Sequence, residues 1–92
     1  MRSFPLTVSS PDGHVFRGEA VMLSLRGTEG DLAIMAGHVP FVTSVVACTC
    51  KIELADEEMS DRTAHIDGGL LTVSANGSVT LLSGSFRWKE NE

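Results

Sequence analysis

The sequence has no tyrosine, one tryptophan, four phenylalanines, three prolines and two cysteines in 92 residues. So few aromatics cannot build the stacking platform on which small barrels bind single-stranded nucleic acid. Seven basic residues against twelve acidic ones leave a net charge of −5. That sign is wrong for a phosphate backbone or an anionic lipid surface, since both need clustered Lys and Arg. Two cysteines, Cys48 and Cys50, cannot form a disulfide framework. At i and i+2 of a strand they share a face, a poor arrangement for a mutual bridge, and they read as small apolar core residues kept reduced. No apolar run approaches the ~20 residues that span a bilayer as a helix. Residues 1–5 show no apolar leader. There is no G-x-x-x-x-G-K-[ST] phosphate loop and no G-x-S-x-G nucleophile turn.

Also missing is helical periodicity: no window repeats apolar residues at i, i+3, i+4 and i+7 through three turns. Period two takes its place. Phe4, Leu6 and Val8 alternate with Pro5, Thr7 and Ser9, the pattern of a strand with one buried face. Ser10-Pro11-Asp12-Gly13 reads as a turn, and residues 14–16 as a short strand stopped at Gly18. Residues 20–25 alternate again, followed by the turn Gly27-Thr28-Glu29-Gly30 and a strand through Leu32 and Ile34. Gly37-His38-Val39-Pro40 interrupts the ladder, because Pro40 has no donor. Alternation resumes through Phe41 to Leu54 and through Thr63 to Val73, with Gly68-Gly69 marking a bulge or a close backbone approach. Asn76-Gly77 predicts a two-residue type I′ hairpin, and residues 86–88 a last strand or extended tail. Eight to ten short strands with frequent turns imply an all-β sandwich or barrel. The expected division is a domain over 1–85 and a tail over 86–92. A chain this size buries roughly 60–65% of its unfolded surface, enough for one core without a deep cleft.

Candidate chemistry is sparse. His14, His38 and His65 with the two cysteines lack the C-x2-C or H-x3-H pairs of a zinc site, so no metal is expected. Five acids between Glu53 and Asp61 fit no calcium loop and read as a solvated tip. A small hydrolase using Cys48 or His38, and a ligand- or protein-binding sandwich with Trp88 as its only tryptophan, are the alternatives that composition leaves open.

Several turns in order are more specific than any one. Ser10-Pro11-Asp12-Gly13-x-Val15-Phe16-x-Gly18 is followed by Gly27-x-Glu29-Gly30-x-Leu32-x-Ile34-x-x-Gly37-His38-x-Pro40-x-x-Thr43, then by Ile66-x-Gly68-Gly69-x-Leu71-x-Val73. Over residues 3 to 83 this resembles the N-terminal domain of the epsilon subunit of F-type ATP synthases, the delta subunit of mitochondria. The resemblance implies a flattened sandwich of about ten strands that is not catalytic and needs no cofactor. It implies a central-stalk subunit that links the gamma subunit to the c ring and couples ion translocation to ATP synthesis or hydrolysis. It would lie on the cytoplasmic face of the bacterial inner membrane and touch the membrane only through the complex. By position, Glu29 and Asp31 would face the c ring, and Ser10, His38 and Thr43 the gamma subunit. Where family members often carry Pro-Gly, this sequence has Ala47-Cys48, which predicts regular strand there. Most bacterial members continue as a C-terminal helical hairpin; the sequence ends at Glu92, so the expectation is a sandwich without that hairpin.

Overall fold

The computed structural model describes residues 2–11, 13, 15–55 and 61–89. Asp12 and His14, most of the expected acidic tip (residues 56–60) and the end of the expected tail (residues 90–92) lie outside the described residues. Among the described residues there is no helix. Seven strands form: β1 (Phe4–Ser9), β2 (Val15–Gly27), β3 (Gly30–Ile34), β4 (Phe41–Leu54), β5 (Asp61–Val73), β6 (Val79–Ser83) and β7 (Phe86–Trp88).

The sheet runs β1-β6-β5-β4-β2-β3, and β1 also pairs with β2, so five of the strands close into a ring. β3 hangs from β2 and β7 from β5. Every pairing is antiparallel except β1–β6. Closure removes most of the open edge that a flat sheet exposes.

The expected all-β sandwich is present, and its strand count has a physical explanation. Three of the seven strands reverse the direction of their side chains part-way. In β2, Ala20 faces the core, and from Val21 onward the odd-numbered Leu23 and Leu25 do so. In β4 the inward set changes from Val45 to Cys50 and Ile52, and in β5 from Ala64 and Ile66 to Leu71 and Val73. Each reversal creases its strand, so one long strand contributes to both layers. Seven strands with three creases give ten straight segments, which matches the upper end of the eight to ten short strands that periodicity implies.

The creases of β4 and β5 lie opposite each other, between the pairs Ala47↔Asp67 and Val45↔Gly69. Gly68 (φ 90°) and Gly69 (φ 152°) occupy the bend in β5. A β-carbon on Gly68 would sit 2.9 Å from the Val45 carbonyl oxygen. β4 and β5 keep one register on both sides of the double glycine, so of the bulge or close approach that its spacing implies, the structure shows the close approach. Ala47 and Cys48 pair regularly with Asp67 and Ile66, as expected from the absence of Pro-Gly there.

Two local expectations are corrected. Gly18 does not end a strand: it pairs with Leu6 inside β2. A β-carbon there would lie 3.0 Å from the Phe16 ring, so the ring covers the space a side chain would fill and the strand continues. The β5–β6 connection is not a two-residue turn. Ser74 N–H donates to Ser78 O (2.9 Å) and Gly77 N–H to Ser74 O (3.0 Å), with Gly77 at φ 94°. That is a three-residue loop closed by a left-handed glycine, and Asn76 Oδ1 accepts from both Ser78 N–H (3.1 Å) and Ser78 Oγ (2.8 Å). The side-chain acceptor lets the wider loop replace the tight one.

The core holds the expected Phe4, Leu6, Val8, Ile34, Leu71 and Val73, all at most 3% exposed. Each such side chain stabilises the fold by about 1.5–3 kcal/mol through removal from water. Residues 86–88 form strand; Phe86 is buried, and Trp88 meets Phe16 and Phe86 edge-on at 5.5 and 4.9 Å. Arg62 lies 3.7 Å above the Trp88 ring. Cys50 is fully buried and Cys48 half-buried, both free. Burial, and secondarily the neighbouring Cys48, pushes the Cys50 thiol up to about 11.

Candidate functional site

The β2–β3 hairpin positions the two acids singled out in the sequence. Gly27 pairs with Gly30, leaving Thr28 and Glu29 at the tip. The tip is fastened to β4: Gly27 pairs with Val45, and Thr28 N–H donates to Ser44 O at 3.3 Å. Glu29 is exposed and has no ion-pair partner among the described residues. Asp31 is also exposed but not alone. Its cross-strand partner is Arg26, whose Nε donates to Asp31 Oδ1 at 2.9 Å. That hydrogen bond, and then the carboxylate's charge, raises the Arg26 guanidinium above its ordinary value.

β2 and β4 part company beside this hairpin. They pair at Ser24↔Lys51 and again only at Gly27↔Val45, so β4 has more residues than β2 between these two contacts. An open cleft of about 620 Å³ fills the seam, lined by Arg26, Asp31, Leu32, Cys48, Thr49 and Lys51 among others. Lys51 pairs with Asp61 at 3.4 Å.

The other three candidates lie around a second surface. His38 sits in the β3–β4 connection, where its N–H donates to Met35 O at 3.1 Å. Its Nδ1 lies 2.8 Å from Val39 O, and its ring is 4.9 Å from that of Phe41. Thr43 is half-buried on the core-facing side of β4, with its hydroxyl turned to Ser44 O at 3.4 Å. The exposed residues beside it are Val42 and Ser44. Ser10 is half-buried at the end of β1, in a cleft of about 460 Å³ that includes Pro11, Leu82 and Gly84.

What joins Ser10 to β4 is an outer face without charge. One row of paired residues runs Ser44–Leu70–Leu82–Ser9, and the next runs Val42–Thr72–Thr80–Thr7. Val42, Leu70 and Leu82 are 59%, 40% and 49% exposed. Four strands at ~4.8 Å spacing make the rows roughly 14 Å wide. Beyond the crease the outer face changes character, with Thr49, His65 and Arg87 in one row and Lys51 beside Thr63 in the next. His65 Nδ1 lies 3.1 Å from Thr49 Oγ1.

The structure therefore groups Ser10 with the uncharged face, and sets Glu29 and Asp31 on the hairpin at its β4 side. Thr43 lies beneath the face, and His38 at the connection leading into β4. Arg26, Leu70 and Leu82 escaped the sequence reading, although each left a signal. Arg26 and Asp31 are symmetric about the Gly27–Gly30 turn, which makes them cross-strand partners. Leu70-Leu71 and Leu81-Leu82 are adjacent apolar pairs, so one of each must point outward. His38 and Cys48 do not meet: on the order of 20 Å of extended strand separates Phe41 from Cys48. Among the described residues no three His, Cys, Asp or Glu cluster as metal ligands, and no helix is long and apolar enough to cross a membrane.

Residues 3–89 match the family model for the ATP synthase delta/epsilon chain, β-sandwich domain. The chain is 34% identical over 90 residues to an ATP synthase epsilon chain of Ruminococcus albus, covering 98% of itself and 65% of that relative. It is 37% identical over 83 residues to that of Bordetella avium, covering 90% and 57%. It thus spans somewhat less than two thirds of the length of these curated relatives. Among solved structures, it superimposes with a TM-score of 0.83 on a chain of the Euglena gracilis mitochondrial ATP synthase, at 21% identity, covering 94% of itself and 53% of that chain. For a chain of the Tetrahymena thermophila mitochondrial ATP synthase central stalk and c ring the TM-score is 0.76, at 16% identity, with 92% and 66% covered.

Proposed function

This chain belongs to the ATP synthase delta/epsilon chain family through its β-sandwich domain, and on that premise we propose that it is a non-catalytic central-stalk subunit linking the gamma subunit to the c ring. The observation that carries this reading is the pairing of two unlike surfaces on one strand. β4 supplies Val42 and Ser44 to the uncharged face and holds the acidic hairpin tip through Ser44 and Val45.

An exposed face with three large aliphatics and no charge, on a chain of net charge −5, has the chemistry of an interface core. Gamma is its proposed occupant, with Ser10 at one end and His38 near the other. The hairpin, with Glu29 at its tip, has the chemistry of a rim contact to polar, basic loops of the c ring. Such contacts fix register and association rate more than affinity. The creased ring of strands supplies stiffness between the two, as transmission of rotor torque requires. In the cell the chain would lie peripherally on the cytoplasmic face of the bacterial inner membrane, reaching the bilayer only through the complex.

Tagged chain recovered from its native membranes should bring the other ATP synthase subunits with it. Leu82→Asp, on an exposed position, should abolish recovery of gamma while leaving the circular dichroism spectrum unchanged. Undiminished recovery with this variant would overturn the assignment of the face.

A further inference from the structure

We propose that Arg26 masks Asp31, so that the acid this hairpin offers to a basic partner is Glu29. The inference deepens the c-ring reading and rests on it for the identity of the partner. Arg26 and Asp31 are cross-strand partners just behind the tip, where facing side chains stand within easy reach of each other. Their ion pair is short, at 2.9 Å, and it uses the guanidinium Nε, which points the charge directly at the carboxylate. Glu29, two residues nearer the tip, has no such partner among the described residues.

The consequence is electrostatic. An incoming lysine or arginine meets one uncompensated acid at the tip and a neutral pair on the flank. To reach Asp31 it must displace a guanidinium already in contact and tolerate its like charge nearby. Both side chains are largely exposed, at 62% and 77%, so the mask is weak and removable, worth a factor of roughly two to five against a competing cation. Arg26 thereby acts as a specificity-determining residue: it shifts the charged contact from the strand to the turn.

The test is a titration of the chain with tetralysine, followed through the carboxyl carbon NMR signals of Glu29 and Asp31. In the unaltered chain the Glu29 signal should move and the Asp31 signal should move at least twofold less. In Arg26→Gln the Asp31 signal should move as much as that of Glu29. Equal movement of both signals in the unaltered chain, or an Asp31 response that Arg26→Gln leaves unchanged, overturns the proposal. A parallel arm measures binding to the detergent-solubilised c ring. There Glu29→Gln should weaken binding several-fold, while the double variant Arg26→Gln/Asp31→Asn should bind like the parent. A double variant as weak as Glu29→Gln also overturns masking. Failure of the parent chain to bind the ring removes the c-ring reading instead, and the tetralysine arm still decides whether Asp31 is masked.

Discussion

Gly69 lies so close to Leu82 that a β-carbon on it would stand 1.8 Å from the Leu82 carbonyl oxygen. No side-chain rotation relieves a clash between a β-carbon and a neighbouring strand's backbone. Gly69→Ala should therefore force β5 and β6 apart at the crease and cost roughly 3 kcal/mol or more. Chemical denaturation measures this. Gly77→Ala, where a β-carbon meets nothing within 4 Å, carries only the left-handed backbone penalty and should cost about 1 kcal/mol.

A pH dependence follows from Cys50. Its thiol is pushed up to about 11 in the fold from 9.0. Below pH 9 the thiol is protonated whether the chain is folded or not, and contributes nothing to the slope. Between pH 9 and 11 the unfolded chain releases the proton and the folded chain holds it, so stability falls as pH rises. The loss should approach 2–3 kcal/mol by pH 11. Cys50→Ala should remove this part of the decline; an unchanged slope would show that other groups cause it.

The two thiols should also differ in reactivity. Cys48 is half-buried and lines the seam, whereas Cys50 is fully buried. An aromatic disulfide reagent at pH 8 should label Cys48 first, and Cys50 only at the rate of opening. Equal labelling rates for the two in the folded chain would contradict the burial.

The proposed partners bind adjacent surfaces of one rigid body, so their affinities should reinforce each other. The chain should bind an assembled gamma–c-ring complex at least tenfold more tightly than gamma alone. Surface plasmon resonance on both targets decides it, and equal affinities would argue against two simultaneous contacts.

Much of the fold was legible in the alternation of Phe4, Leu6 and Val8, and in the Gly68-Gly69 pair. The creases were not, because adjacent apolar residues fit either phase of the pattern: Val45-Val46 and Leu70-Leu71 permit a strand to reverse faces without an unfavourable residue. Gly18 looked like a stop because the covering ring of Phe16 is a tertiary fact. Among the candidate residues, exposure of Glu29 and Asp31 was predictable from the glycines around the turn. The pairing of Asp31 with Arg26 is legible only through their symmetry about the Gly27–Gly30 turn, because it depends on strand register. The charge-free face was hidden for another reason: its rows draw on four strands, and neighbours such as Ser9 and Leu82 are remote in sequence.

The parallel pairing of β1 with β6 has a consequence for how the molecule comes into being. Leu6 lies beside Val79, a separation of 73 residues. During synthesis β1 and β2 can zip together early, but the ring cannot close until β6 has left the ribosome. Until then the edges of β1 and β5 stand open, and a strand made late, β6, protects the first. Contacts this remote make folding slow for a domain of its size, and nascent chains arrested before residue 79 should be the aggregation-prone ones.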